Sequence, residues 1–115
     1  MIVVTGLKNC DTCRNAIKWL KAEGIDARLH DIRADGLDPA TLDGWIAAVG
    51  WETLLNRRGT TWRGLPDADK AEVDAAKARA LMLAHQALIK RPVFDLGGKI
   101  LVGFGAQEKA ALKGA

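Results

Sequence analysis

The chain has 115 residues, of which 49% are hydrophobic and 27% charged, with a formal net charge of +3. That balance fits one soluble globule with a modest core and excludes a disordered chain, and no apolar run approaches the ~20 residues of a membrane span. The mild positive charge suits a small anionic ligand or an acidic partner and does not by itself imply nucleic acid.

Met1 to Thr5 is a short β-branched run closed by Gly6, the pattern of a buried strand. It lacks the basic start and longer apolar core of a secretory signal, so the cytoplasm is the expected compartment. Cys13 to Glu23 sets Ile17 and Leu20 on one face with Trp19 beside them and stops at Gly24, an amphipathic helix with a glycine end. Ala27 to Ile32 alternates weakly and reads as a second strand. Strand, helix and strand within about 30 residues predict a parallel pair joined by a right-handed crossover. Asp38-Pro39 then offers an N-cap with proline at the first helical position, and Leu42, Trp45, Ile46 and Val49 recur at helical spacing up to Gly50. Asn56 to Gly64 is turn-like and carries Arg57, Arg58 and Arg63. Pro66-Asp67 opens a long alanine-rich helix to about Leu83, with a further short helical stretch to Leu88. Pro92 to Leu96 and Lys99 to Val102 flank Gly97-Gly98, a hairpin signal, and Ala106 to Leu112 supplies a last helix. The order β-α-β, helices, β-β-α predicts an α/β domain with one four-stranded mixed sheet and a helix on each face.

Both cysteines stand in Asn9-Cys10-Asp11-Thr12-Cys13-Arg14, where the first strand meets the first helix. A disulfide between residues three apart closes almost no loop, so the pair reads as redox or metal chemistry before structure. The thiolate is the nucleophile, and the free amides at a helix N-terminus favour it. Cys10 at the helix start is therefore the candidate nucleophile, Arg14 one turn in adds positive field, and Cys13 on the same face is placed to resolve a mixed disulfide. Two inert, half-buried thiols are the alternative. Zinc wants four ligands, and His30 and His85 lie far apart in sequence, so no metal is expected.

Lys90-Arg91-Pro92 precedes the third strand. A cis bond before Pro92 would turn Arg91 toward another loop; an ordinary strand-entry proline is the other reading. His30 reads as a packed or edge histidine and His85 as a late-turn cap. Trp19, Trp45 and Trp51 read as packing residues, whereas Trp62 is a candidate to border the thiol pocket. Asp67, Asp69, Glu72 and Asp74 complement a helix dipole on a solvated face.

Four segments, Cys10-Asp11-Thr12-Cys13-Arg14, Leu54 to Arg63, Ile89-Lys90-Arg91-Pro92 and Val102-Gly103-Phe104, together resemble the arsenate reductase-related family. That family takes in glutaredoxin-dependent arsenate reductases, Spx transcriptional regulators and YffB-type proteins, and the middle segment is most similar to the YffB-type branch. The resemblance implies a thioredoxin-like fold spanning 1–115 as one domain, with a helical insertion at about 37–88 and a cis bond before Pro92. It implies Cys10 as nucleophile, Arg91 as the oxyanion partner, and Arg14, Arg57, Arg58 and Arg63 as further binding residues. No cofactor is expected to be bound; glutathione is the implied co-substrate, with glutathione or glutaredoxin as partner and a small anionic or thiol substrate. Neither a membrane nor direct nucleic-acid binding is expected. Where arsenate reductases carry a serine three residues after the nucleophile, this chain has Cys13. It has Asn56 in place of the arginine after the Leu-Leu pair, and Gly103 in place of an oxyanion-contacting arginine. These losses count against a doubly charged tetrahedral anion. The resemblance therefore points to a glutathione- or thiol-dependent reductase, with an Spx-like regulator that binds RNA polymerase and is switched by a Cys10–Cys13 disulfide as the alternative.

Overall fold

In the computed structural model, which describes residues 1–114, Ile2–Gly6 forms β1 at the centre of a four-stranded sheet of order β2-β1-β3-β4. β2 (Ala27–Asp31) runs parallel to β1, with Gly6 beside Asp31. β3 (Val93–Asp95) runs antiparallel on the other side and pairs with β4 (Ile100–Val102). α1 (Asp11–Ala22) makes the crossover from β1 to β2, and α8 (Ala106–Lys113) ends the chain. The Asp95 carboxylate accepts from the Gly97 amide at 2.9 Å, and Gly97 and Gly98 take the positive φ angles of 82° and 120° that this tight connection demands. This is a thioredoxin-like sheet.

The two-residue alternation of β1 decides where the core lies. Ile2 and Val4 share a face with Phe94 and meet Ala16 and Leu20 of α1 and Leu112 of α8 in one buried cluster. The sequence leads one to expect a helix on each face, but both long helices of this unit pack into the same cluster. The reason lies beyond β4. The chain turns at Gly103, whose amide donates to the Pro92 carbonyl at 2.9 Å, and drops Phe104 back onto the face of Phe94 and Trp19. The Phe104 ring meets Trp19 edge-on at 5.7 Å and Phe94 at 6.1 Å. α8 must follow it.

Contacts divide the chain into two units: Met1–Gly36 together with everything from Arg91 onward, and Leu37–Lys90. The second unit is helical, built on α3 (Pro39–Val49), α4 (Trp51–Leu54) and α7 (Ala75–Ala84) around Leu42, Trp45, Leu54, Ala78 and Met82. Its end is fixed by backbone pairing. Asn56 N donates to Leu88 O at 2.7 Å and Lys90 N to Leu54 O at 2.8 Å, about a Leu55–Ile89 bridge. On its surface Arg79 reaches across from α7 to Asp43 of α3, with Nε 2.6 Å from Oδ1.

Two sequence expectations fail within this unit. The turn-like stretch Asn56 to Gly64 contains a short helix, α5 (Thr60–Arg63). The long alanine-rich helix is broken into α6 (Asp67–Lys70) and α7, with Ala71 extended and Glu72 at φ 50°. Asp74 causes the restart by accepting from Lys77 N at 2.9 Å as an N-cap. Lys77 Nζ in turn donates to Ala68 O at 2.7 Å and to Ala71 O, satisfying carbonyls that a continuous helix would have used. High alanine propensity loses to local capping.

Phe94 is completely buried at the centre of the sheet cluster. Phe94→Ala is expected to destabilise the fold by about 3–5 kcal/mol, read as a lowered denaturation midpoint with both helices of the sheet unit melting together.

Candidate thiol site

The strand-to-helix corner runs from Gly6 to Cys13. Cys10 is the N-cap of α1 in extended conformation, and its carbonyl accepts the first helical bond from Arg14 N at 2.9 Å. The Cys10 amide donates back to Leu7 O at 3.2 Å, closing the turn. Its sulfur makes no close cap hydrogen bond, but the amides of Thr12 and Cys13 in the first turn act on it. Cys10 is half-buried; Cys13, a turn further on, is wholly buried, and neither is in a disulfide. Room for Cys13 exists because residue 6 is glycine: a Cβ there would run into the Cys13 sulfur.

The two thiols are driven apart in acidity. Burial works against a charge on Cys10, but the Cys13 amide, the Cys13 thiol, the Arg91 guanidinium and the Thr12 amide outweigh it and hold Cys10 below its ordinary value. Cys13 is pushed up to about 11, first by its burial and then by the neighbouring Cys10 sulfur, while the Leu7 amide and Arg91 pull only partly the other way. Cys10 therefore ionises first, and a charge on Cys10 makes ionisation of Cys13 harder still.

The peptide bond between Arg91 and Pro92 is cis. No carboxylate pairs with Arg91 among the described residues, which leaves its charge available to the Cys10 sulfur. Arg14, by contrast, forms an exposed ion pair with Asp11 on the helix surface. Cys10, Cys13, Arg91 and Pro92 thus belong to the sheet unit, while Arg57, Arg58 and Arg63 form a separate group in the helical unit.

In that second group the Arg57 guanidinium lies over the Trp51 ring at 5.4 Å and the Trp62 ring at 5.9 Å. Asn56 Oδ1 accepts from Arg58 N at 3.0 Å, and Arg63 Nη1 donates to Arg58 O at 2.9 Å. Glu52, Leu55, Asn56, Arg57, Arg58 and Lys90 line an open cleft of about 390 Å³. The histidines stand apart from this chemistry. His30 Nε2 bonds Gly36 O at 2.9 Å, and His85 caps the end of α7. Among the described residues no group of three His, Cys, Asp or Glu side chains is arranged to hold a metal.

Asp31 is the residue that sequence reading passes over. Its buried carboxylate accepts from Lys8 N at 3.0 Å, Arg33 N at 2.9 Å and Ala34 N at 3.0 Å, and bonds led by the Lys8 amide hold its pKa below the usual carboxylate range. The clue was an aspartate at the end of a strand-like run, three residues before Ala34, where an N-cap would stand.

The four-stranded sheet with a cysteine at the N-terminus of its first helix defines a protein of the thioredoxin-like fold. Residues 6–112 match the model of the ArsC family. An uncharacterized protein of Haemophilus influenzae is 43% identical over 111 residues, covering 96% of this chain and 97% of that one. Among solved structures, the YFFB protein is 47% identical with a TM-score of 0.91, covering 97% of this chain and 98% of its own. An arsenate reductase (ArsC) related protein from Brucella melitensis is 48% identical with a TM-score of 0.79, covering 96% and 92%. The chain belongs to the ArsC family.

Iodoacetamide at about pH 8 is expected to label Cys10 alone, with Cys13 reacting only as the pH approaches 11, the sites being read by peptide mass spectrometry. Because Cys13 has its pKa raised by folding, its neutral form stabilises the protein fully below the ordinary thiol range. That contribution is lost as the pH climbs toward about 11. Cys13→Ala should therefore flatten the alkaline limb of a stability–pH curve.

Proposed function

We propose that this protein is a glutathione- or glutaredoxin-linked thiol reductase in which Cys10 is the nucleophile. The observation that carries the reading is the corner itself: a half-buried Cys10 capping the N-terminus of α1, with Arg91 favouring its charge, and a wholly buried Cys13 one turn on whose ionisation is disfavoured. In the first step the Cys10 thiolate attacks the glutathione sulfur of a mixed disulfide. A Cys10–glutathione bond forms, the old sulfur–sulfur bond breaks, and the departing substrate thiolate takes up a proton. A glutathione thiolate then attacks the glutathione sulfur held on Cys10. Oxidised glutathione leaves and the Cys10 thiolate returns. Arg91 lowers the charge cost at Cys10 and receives the anionic substrate or a glutathione carboxylate.

Arsenate is not the substrate we propose, since Asn56 and Gly103 stand where arsenate reductases carry arginines. The proximity of the two sulfurs, each of which shifts the other's pKa, favours one further reading. An internal Cys10–Cys13 disulfide would make the protein a redox-sensing regulator of the Spx kind, acting on RNA polymerase.

Intact-protein mass spectrometry after treatment with oxidised glutathione separates the two. A single glutathione adduct that disappears in Cys10→Ser supports the reductase, a loss of two hydrogens supports the switch, and untouched thiols defeat both. Arg91→Ala is expected to raise KM for an anionic disulfide roughly tenfold, the size of one charge-assisted bond, and to raise the pH at which Cys10 is alkylated.

A further inference from the structure

The corner that holds Cys10 has no side-chain cap of its own. Between Gly6, the last residue of β1, and Cys10 there are only three residues, and two of their backbone groups are spoken for locally: Leu7 O accepts from Cys10 N, and the Leu7 amide acts on the Cys13 sulfur. Lys8 N, two residues before the nucleophile, is tied to a different strand. It donates to Asp31 Oδ2 at 3.0 Å, while Asp31 Oδ1 caps the short helix α2 (Ile32–Asp35) through Arg33 N and Ala34 N. Asp31 sits directly across from Gly6 in the parallel β1–β2 register, so its carboxylate reaches past the end of β1 at the point where the thiol loop departs. It is 7% exposed, which makes it, with Thr5, one of two polar residues buried in the described chain.

We infer that Asp31 is a positioning residue for the Cys10 thiolate, acting through the Lys8 amide to hold the loop that sets the sulfur over the first turn of α1. The inference rests on the reductase reading only for its biological use, since it concerns where the sulfur sits and not what it attacks. A carboxylate is the side chain that can do both jobs. One oxygen caps α2 and the other accepts from Lys8 N. An asparagine in the same place must turn a donor toward either Lys8 N or the α2 amides and so loses one of the two.

The expected sign is informative. Removing a negative charge near a thiol lowers the thiol's pKa by charge alone, whereas displacing the sulfur from amides and Arg91 raises it. Asp31→Asn and Asp31→Ser are therefore expected to shift the pH profile of Cys10 alkylation upward. The rate at neutral pH should fall about tenfold for a rise of one pKa unit. Asp38→Asn, which alters an aspartate capping α3 through Ala40 N, serves as the control and should leave that profile unchanged even where stability falls. An unchanged or lowered Cys10 profile in folded Asp31 variants would overturn the inference. Should those variants not fold, hydrogen exchange on the unaltered protein decides: a slowly exchanging Lys8 amide upholds the bond, and exchange at the rate of a free loop amide overturns it. If Cys10 in the unaltered protein alkylates normally but takes up no glutathione, the reductase reading fails while the role of Asp31 is still tested.

Discussion

Where β1 hands over to α1, the chain must turn sharply while leaving the first amides of a helix without partners, and it does so at a cysteine. Free amides at a helix start attract negative charge, and they favour ionisation of the Cys10 sulfur, whose pKa is held below its ordinary value. Several neighbouring features shape the corner around that sulfur. Gly6 removes the Cβ that would collide with Cys13, Leu7 closes the turn onto the Cys10 amide, and Asp31 pins the amide of Lys8 from the adjacent strand.

The second sulfur shows how strongly burial decides the outcome. Burial raises both thiols and Arg91 lowers both, yet Cys10 is held low and Cys13 reaches about 11. The difference lies in deeper burial of Cys13 and in the helix-start amides of Thr12 and Cys13, which act on Cys10. Cys13 is sealed beneath the strand end, where desolvation of an anion exceeds anything nearby dipoles return. A buried neutral thiol that resists ionisation beside the half-buried Cys10 also avoids two adjacent negative charges. The two sulfurs are thus held at opposite ends of the thiol range.

Much of this was legible in the residues themselves. The β-branched run before Gly6, the helix ending at Gly24, the Asp38-Pro39 start and the Gly97-Gly98 hairpin each carry a local cause, and local causes survive folding. The cysteine pair at a strand–helix junction identified the corner before any coordinate did. What escaped was long-range or competitive. Asp31 lies 23 residues from Lys8, and no spacing rule links a strand-end aspartate to a loop amide on its neighbour. The break between α6 and α7 escaped because alanine content argues for continuity, while one aspartate and one lysine side chain decide otherwise. The placement of α8 depended on the turn at Gly103, a tertiary event without a periodic signature.

That turn and the loop at Asn56 also bear on the two positions, 103 and 56, where the resemblance to the arsenate reductases implies an arginine. Gly103 has φ 89°, a conformation that side-chain-bearing residues adopt at a cost, and its amide is committed to Pro92 O. An arginine at 103 would strain the backbone beside the cis proline before it reached any ligand. Asn56 is likewise a builder of its loop. Its side-chain oxygen holds the Arg58 amide, and its Nδ2 is close enough to Gly59 that a Cβ there would stand 3.1 Å away. The loop so formed delivers the Arg57 guanidinium to the rings of Trp51 and Trp62, 5.4 Å and 5.9 Å from their centroids. Neither change is therefore a simple loss of charge. Both positions serve backbone shape: Gly103 through its positive φ and its bond to Pro92 O, and Asn56 through its hold on the Arg58 amide.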